Sequence, residues 1–177
     1  MTAKLTPEQK LENAINRTVE TYTQYTVGNR WNLFLKEVQR LAVISRANDD
    51  GMVRCVTSGK QFHVDDSDIH GGHFMKRNKR ATAYLLDNVW PQSAYDNSFK
   101  DGEQEKLGKF LGEKKASFLR ELSHEPDPFQ VNGKFCTRKM VEYLVKEIRP
   151  RLKMHEDRIS KGIPIEGYSD PPMVQAN

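Results

Sequence analysis

The spacing of apolar residues predicts two amphipathic helices in the first 50 residues. Thr6 is placed to cap the first helix, with Pro7 at its first position and Gln9 at the capping-box position. The apolar positions of this helix recur every three or four residues and share one face: Leu11, Ile15, Val19 and Tyr22. Gly28 separates it from a second helix, which repeats the same spacing at Trp31, Phe34, Leu35, Val38, Leu41 and Ala42.

The pattern changes between residues 52 and 74, where short apolar stretches alternate with turn-forming residues. The stretches "MVRCVTSG" and "KQFHV" are followed by the acidic loop "DDSD" and by "IHGGHF". Such short runs bounded by Gly, Ser and Asp are typical of strands joined by turns. We therefore predict a small, irregular β-hairpin here.

Helical spacing returns from Asn97 to Leu122, with Gly108 and Gly112 weakening the middle of that helix. Thr137 can cap a further helix, which Pro150 disturbs. The chain is thus divided into helices at 1–50, a β-containing core with its following helix at 51–122, a helical region at 123–160 and a flexible tail at 161–177. The predicted class is α+β and mostly helical.

Composition and charge limit the partners and the cellular compartment that we expect. Hydrophobic residues make up 37% of the 177 residues, and the net charge of +4 with a pI near 9.0 favours a polyanionic partner. The sequence has only two cysteines and no apolar run approaching the roughly 20 residues that a membrane span needs. We expect a cytoplasmic protein without a disulfide framework and without a membrane partner.

Three polar residues in the middle region follow in an informative order. His73, Asn88 and Asn97 are separated by 15 and 9 residues, on a predicted strand, at a turn and at a helix start. This order resembles the HNH, or ββα-metal, nuclease motif. The segment "DNVWPQSAYDNSFKDG" matches that motif at Asn88, Asn97, Lys100 and Gly102.

The wider frame from "RCVTSGK" through "GGHF" to "QSAYDN" is similar to the phage NinG (Rap) recombination endonucleases and covers residues 54–102. Several elements in the same order make a chance match a poor explanation. The resemblance implies a small ββα-metal core flanked by N- and C-terminal helices. It also implies a metal-dependent DNA endonuclease that acts on branched recombination intermediates, in the host cytoplasm if the gene is phage-encoded.

Members of that family bind a structural zinc ion through two Cys-x-x-Cys pairs, and this chain departs from that pattern. The four positions here are Cys55, Ser58, Ser93 and Asp96. Serine hydroxyls do not replace the thiolates of a closed zinc site, so structural Zn²⁺ is not expected. Apolar packing from the flanking helices must then hold the hairpin. A rebuilt site that uses Cys55 with His63 or Asp96 is the alternative.

His73 is the predicted general base, because a neutral imidazole can accept a proton from attacking water. The simpler interpretation is a surface histidine. Asn88 is expected to hydrogen-bond across the hairpin and fix the loop that aims His73, although an ordinary Asp-Asn turn would also place it there. Both interpretations of Asn88 can hold together.

Asn97 is a predicted ligand for Mg²⁺ or Mn²⁺ through its amide oxygen, and its alternative role is to cap the following helix. Many HNH sites have an acidic residue or histidine directly before the base, where this chain has Gly72. His70 or Asp68 must then complete the metal site. Gly71 and Gly72 are expected to let the backbone approach a phosphate closely.

Basic residues after His73 are predicted to contact DNA phosphates: Lys76, Arg77, Lys79 and Arg80, with Lys100 further along. A solvated charged surface is the simpler interpretation. No base-reading helix is recognisable, so DNA would be selected by shape and backbone. A junction-resolving enzyme needs two active sites, which a homodimer would supply. The alternatives to an enzyme are a non-catalytic DNA-binding descendant and a helical adaptor that recruits a partner.

Overall fold

Two helices open the chain in the computed structural model, which describes residues 5–99 and 103–164. Helix α1 spans Pro7–Thr23, and its capping box is formed as predicted, because Thr6 Oγ1 accepts from the Gln9 N–H at 3.2 Å. Helix α2 spans Val27–Ile44. The predicted break at Gly28 is wrong, because the Thr26 hydroxyl caps α2 and places Gly28 in its first turn.

The central region contains two antiparallel strand pairs. Strand β1 (Met52–Arg54) pairs with β2 (Gln61–His63), and β3 (Ile69–His73) pairs with β4 (Val89–Ser93). The connection between β3 and β4 holds the short helix α3 (Arg80–Ala83), and helix α4 (Ala94–Phe99) follows β4 directly. The order from residue 69 to residue 99 is therefore strand, strand, helix, with a long connection between the strands.

The helical pattern after Asn97 is divided into α4, α5 (Gln104–Leu111) and α6 (Glu113–Leu122). The predicted interruption falls at Gly112, whose φ of +77° favours glycine. After the small hairpin of β5 (Gln130–Val131) and β6 (Lys134–Phe135) come α7 (Thr137–Tyr143), a π-helical turn (Leu144–Ile148) and α8 (Arg149–Ser160).

Pro150 lies in the first turn of α8, and the helical path continues beyond it. The π-helical turn ends at Ile148, two residues before this proline, which lacks an N–H and crowds the preceding turn of a regular helix. Pro150 therefore disturbs the helix, as predicted, without ending it.

Helix α2 lies at the centre of the packing. It contacts β3 and β4 on one side and α8 on another, and its Phe34 and Leu41 are fully buried. Each such side chain stabilises the fold by about 2 kcal/mol. The predicted segments 1–50 and 123–160 share one apolar core, which also takes in Ala83 and Val89 from the central region. The flanking helices thus hold the β3–β4 hairpin by apolar packing.

The structure confirms the α+β class, with helices and two-stranded sheets. Within the described residues, no helix has the length and apolar character needed to cross a membrane. The motif positions Lys100 and Gly102, and the predicted flexible tail from residue 165 onward, lie outside the described residues.

Candidate active site

His73 ends strand β3 and lies opposite Val89 on β4. Its side chain is 7% exposed, and its Nε2 lies 3.0 Å from the carbonyl oxygen of Ala83. A carbonyl only accepts hydrogen bonds, so Nε2 of the neutral ring carries the proton and Nδ1 carries the lone pair. The fold therefore selects one tautomer, and Nδ1 is the nitrogen able to accept a proton.

Burial lowers the pKa of His73 to about 4, against the opposing effect of its hydrogen bond to Ala83, while the charge of Arg77 lowers the pKa further. The ring is neutral at pH 7 as a result. A phosphate placed beside it would favour the protonated form, because an adjacent negative charge raises the pKa of an imidazole.

Asn88 makes the cross-hairpin hydrogen bonds that the sequence predicted. Its side chain is fully buried, with Oδ1 accepting from the Met75 N–H at 2.6 Å and Nδ2 donating to the Met75 carbonyl at 3.0 Å. Gln104, on α5, donates from Nε2 to the carbonyl of His73 itself at 3.1 Å. These bonds fix the backbone from His73 to Met75.

His73 lines a cavity of about 750 Å³ between α2, β3, the loop after β3, α4 and the start of α5. His70 and Asn97 also line it, with the Asn97 Nδ2 atom 3.5 Å from His70 Nδ1. The structure thus brings together in one cavity the predicted base and two of the three predicted metal ligands.

His70 and Asn97 are suited to share a divalent ion, because an imidazole nitrogen and a carboxamide oxygen are both metal ligands. A half-turn of the Asn97 carboxamide exchanges its oxygen and nitrogen, which occupy the same volume. In the described part of the chain, no three His, Cys, Asp or Glu side chains are grouped so that they could hold a metal ion. Protein ligands therefore supply only part of a coordination shell here.

The structure does not place Asp68 among the residues that line the cavity. Asp68 precedes β3, whereas His73 ends it, and five residues of extended chain span about 16 Å. The Asp68 side chain is exposed and is not among the described residues lining the cavity, while its backbone carbonyl accepts from the Ala94 N–H at 2.8 Å.

The fold places two of the predicted basic residues at the cavity and two outside its lining. Lys76 and Arg77 are exposed and line the cavity, and the Arg77 carbonyl accepts from Trp31 Nε1 at 3.1 Å, which fixes their loop to α2. Lys79 and Arg80 are absent from the described lining. Arg80 instead pairs with Asp127 at 3.0 Å and lies over the Trp31 ring, so its predicted phosphate contact is corrected to a structural role.

Two cations at the cavity come from α2 and were not predicted as site residues. Lys36 and Arg40 lie one helical turn apart and line the same cavity as the Lys76 loop. Arg40 also pairs with Asp65 at 2.8 Å. Their i, i+4 spacing was visible in the sequence, but nothing in the sequence indicated that this face of α2 meets His73.

The glycine pair before His73 is explained by packing. A Cβ at Gly71 would lie 2.8 Å from the Cα of Gln39 on α2, and one at Gly72 would lie 1.6 Å from Gln92 Oε1. Gln39 also donates to the Gly71 carbonyl at 2.6 Å. These glycines let α2 and the Gln92 side chain approach β3. The approach of their backbone to a phosphate stays a prediction, and Gly71 also lines the cavity.

The opposite end of the hairpin holds a second polar group, the Cys55 cluster, formed by Cys55, Thr57, Ser93 and Asp96. Thr57 Oγ1 donates to Asp96 Oδ2 at 2.8 Å, and the Cys55 thiol lies 3.6 Å from the same oxygen. Backbone N–H groups of Ser58 and Ser93 donate to Cys55 Sγ at 3.4 and 3.2 Å. The four positions of the family's zinc site are thus adjacent in space.

These side chains do not fit a zinc ion. The cluster offers one thiol, one carboxylate and hydroxyl groups, whereas closed zinc sites use thiolates and imidazoles. Ser58 contributes its backbone N–H, and its place beside Asp96 is taken by Thr57. For the alternative pairing with His63, no described group of three His, Cys, Asp or Glu side chains is placed to hold a metal ion.

No protein-family model matches the sequence, and neither curated proteins nor solved structures give a match. The resemblance to HNH endonucleases therefore rests on the motif residues, and the function that follows is a proposal.

Proposed function

We propose that this protein is a metal-dependent DNA endonuclease with an HNH-like ββα core, in which His73 is the general base. The observation that carries the proposal is the convergence of His73, His70 and Asn97 on one cavity with a basic rim. These residues come from a strand and a helix, with a buried Asn88 fixing the intervening loop. Phage recombination intermediates are the proposed DNA substrates.

In the proposed reaction, His73 accepts a proton at Nδ1 from the attacking water, and Ala83 stabilises the resulting imidazolium through its bond to Nε2. The oxygen of that water bonds to phosphorus, and the bond from phosphorus to the leaving oxygen breaks. His70 and Asn97 would hold the divalent ion, which stabilises the charge developing on the leaving oxygen.

The basic residues around the cavity would bind DNA through its phosphates. Lys76 and Arg77 come from the loop after β3, and Lys36 and Arg40 come from α2. Contacts of this kind position the duplex without reading its sequence. Selection by DNA shape, which suits branched substrates, is consistent with such contacts.

The test is a nicking assay on duplex and four-way-junction DNA with Mn²⁺ or Mg²⁺. Replacing His73 with Gln is expected to lower the cleavage rate about 10²- to 10⁴-fold, because a general base is lost. DNA affinity should remain within a factor of two or so, since phosphate contacts carry most of it. The matched control is His124→Gln, at an exposed histidine outside the cavity.

The burial of His73 supports a second candidate, a DNA-binding protein that has lost catalysis. A ring only 7% exposed is less accessible than a solvent-facing base. This candidate predicts DNA binding that weakens steeply with salt and no nicking by the wild-type protein with any divalent metal. That result would overturn the endonuclease proposal.

A further inference from the structure

The surface beside the cavity carries an exposed aromatic side chain, Tyr95. It is 60% exposed, more than any other large apolar side chain among the described residues. Tyr95 lies on α4, three residues before Ser98, which lines the cavity. Residues three apart share a helix face, with Cβ atoms about 5–6 Å from each other, so Tyr95 adjoins the rim of the cavity.

The size of the cavity limits what can enter it. Its volume of about 750 Å³ lies in the range of small-molecule sites, roughly 300–1,000 Å³. A nucleotide fits such a space, but a duplex, whose major groove alone is about 12 Å wide, does not. His73 is only 7% exposed, so a phosphate reaches it only inside the cavity. An unpaired strand can deliver its phosphate there, whereas a paired strand stays outside with its duplex.

The charge of the cavity lining favours a polyanion. Four basic residues line it, and none of the described lining residues is Asp or Glu. A basic groove beside an exposed aromatic ring is the combination by which proteins bind single-stranded DNA. The groove holds the phosphates, and the ring stacks on a base of any sequence, because every base has a π-face.

We propose that Tyr95 stacks on an unpaired base at the cavity and makes the protein prefer single-stranded segments of DNA, such as those beside a branch. This inference rests on the proposed function for the identity of the ligand as DNA, but it requires neither cleavage nor a metal ion. The bases of a duplex are already stacked on one another, so a duplex has no base to offer the ring.

The experiment measures DNA affinity by fluorescence anisotropy in EDTA and at fixed salt, so that binding is observed without metal-dependent cleavage. The probes are a labelled single strand, the duplex of the same length and sequence, and a fork with unpaired arms. The wild-type protein is expected to bind the single strand and the fork about tenfold more tightly than the duplex, because stacking on one base contributes about that factor.

Three variants locate the preference. Tyr95→Ala should lower the affinity for the single strand and the fork about tenfold, and that for the duplex less than about twofold. Tyr95→Phe keeps the ring and should bind like the wild type. The matched control is Phe118→Ala, which removes a ring that is 58% exposed but lies outside the cavity lining, and it should also bind like the wild type. Unchanged duplex affinity in Tyr95→Ala shows that this variant is folded.

Cross-linking provides a readout that does not depend on affinity. A single strand that contains iodouracil forms a covalent bond under ultraviolet light to an aromatic side chain in contact with that base. Mass spectrometry of the digested complex should identify Tyr95 as the cross-linked residue.

Equal affinity of the wild type for the fork and the duplex would overturn this inference, as would a Tyr95→Phe variant that binds like Tyr95→Ala or a cross-link at another residue. The nicking assay keeps the two proposals apart. Nicking of a fork that Tyr95→Ala binds as tightly as the wild type rejects only the stacking. A preference for unpaired DNA that depends on Tyr95, without nicking, rejects only catalysis. If neither is observed, both proposals fail.

Discussion

Two polar groups adjoin the β3–β4 hairpin, and they differ in where their hydrogen bonds go. At the Ile69–Ser93 end, the Cys55 cluster satisfies its members within the protein. Along β3 from Ile69 to His73, residues line a cavity that basic side chains surround. Buried polar groups with internal partners contribute stability and specificity, whereas donors that face a cavity are available to a ligand.

Two neighbouring residues on α4 separate these roles. Asp96 belongs to the Cys55 cluster and is buried, while Asn97 is partly exposed and lines the cavity. A single helical step therefore divides a structural carboxylate from a candidate metal ligand. Substitutions at the two positions provide a direct comparison of the two groups.

The largest expected effect is on cleavage. Asn97→Ala should lower the nicking rate about a thousandfold, because removing a ligand of the divalent ion costs several kcal/mol of transition-state stabilisation. Its free energy of unfolding should change by less than about 0.5 kcal/mol, since the side chain is partly exposed. Nicking assays and urea denaturation measure the two quantities. A stability loss that accounts for the whole activity loss would contradict the comparison.

Acid should destabilise the protein through His73. The unfolded chain takes up a proton on this histidine as the pH falls through about 6.5, whereas the folded chain keeps the ring neutral down to a pKa of about 4. The neutral His73 ring therefore contributes about 3 kcal/mol to the free energy of unfolding above about pH 6.5. This contribution is lost as the pH falls toward 4.

Urea denaturation at pH 7 and pH 4 measures this loss. His73→Gln removes the titrating group, so the variant should lose about 3 kcal/mol less than the wild type over this range. The His124→Gln variant, with an exposed histidine, should follow the wild type. Identical pH dependence in the wild type and His73→Gln would show that the ring is not held neutral by burial.

Asp96→Ala should lower the free energy of unfolding by about 2 kcal/mol, because the Thr57 hydroxyl and the Cys55 thiol lose their shared acceptor. The nicking rate per folded molecule should remain near the wild-type value. Differential scanning calorimetry and the nicking assay test these outcomes together.

A chelator provides the control for this cluster. Because the side chains do not fit zinc, EDTA should leave the unfolding temperature of the wild type unchanged. A large decrease on adding EDTA would mean that a metal, rather than hydrogen bonds, stabilises this end of the hairpin.

The smallest expected effect concerns the backbone beneath the cavity. Gly71→Ala should destabilise the protein by about 1 kcal/mol, because the new Cβ would meet the backbone of α2 at Gln39. Gly28→Ala is the matched control, since its Cβ meets nothing within 4 Å and the residue is helical. That variant should be stabilised by up to about 1 kcal/mol. Thermal denaturation distinguishes the two directions.

Local sequence signals predicted the elements well where the determining contacts are local. The capping box at Thr6 and the break at Gly112 depend on neighbouring residues, and both are present. His73 lies on a strand and Asn88 lies in a turn, as predicted, but Asn97 lies inside α4, which begins at Ala94, so its predicted place at the start of a helix is wrong. Gly28 was misassigned because the stronger local signal, the Thr26 cap, lies two residues earlier.

Partners distant in the chain were not predictable in the same way. Arg80 was expected to bind phosphate, but Asp127 and Trp31 hold its side chain. The glycine pair was expected to face a ligand, but Gln39 and Gln92 occupy the adjacent space. A basic residue or a glycine gives the same local sequence pattern whether it binds a ligand or packs within the protein. Only its neighbours in the folded structure distinguish the two roles.

The sequence by itself determined the helices, the α+β class and the order of the motif residues, because hydrophobic periodicity, capping and turn chemistry act over a few residues. The tertiary structure decided which side chains share a cavity. It placed α2 against β3, which brought Lys36 and Arg40 to His73, and it left Asp68 at the far end of the strand. Such positions depend on the packing of apolar faces between distant segments, and no local pattern records which faces meet.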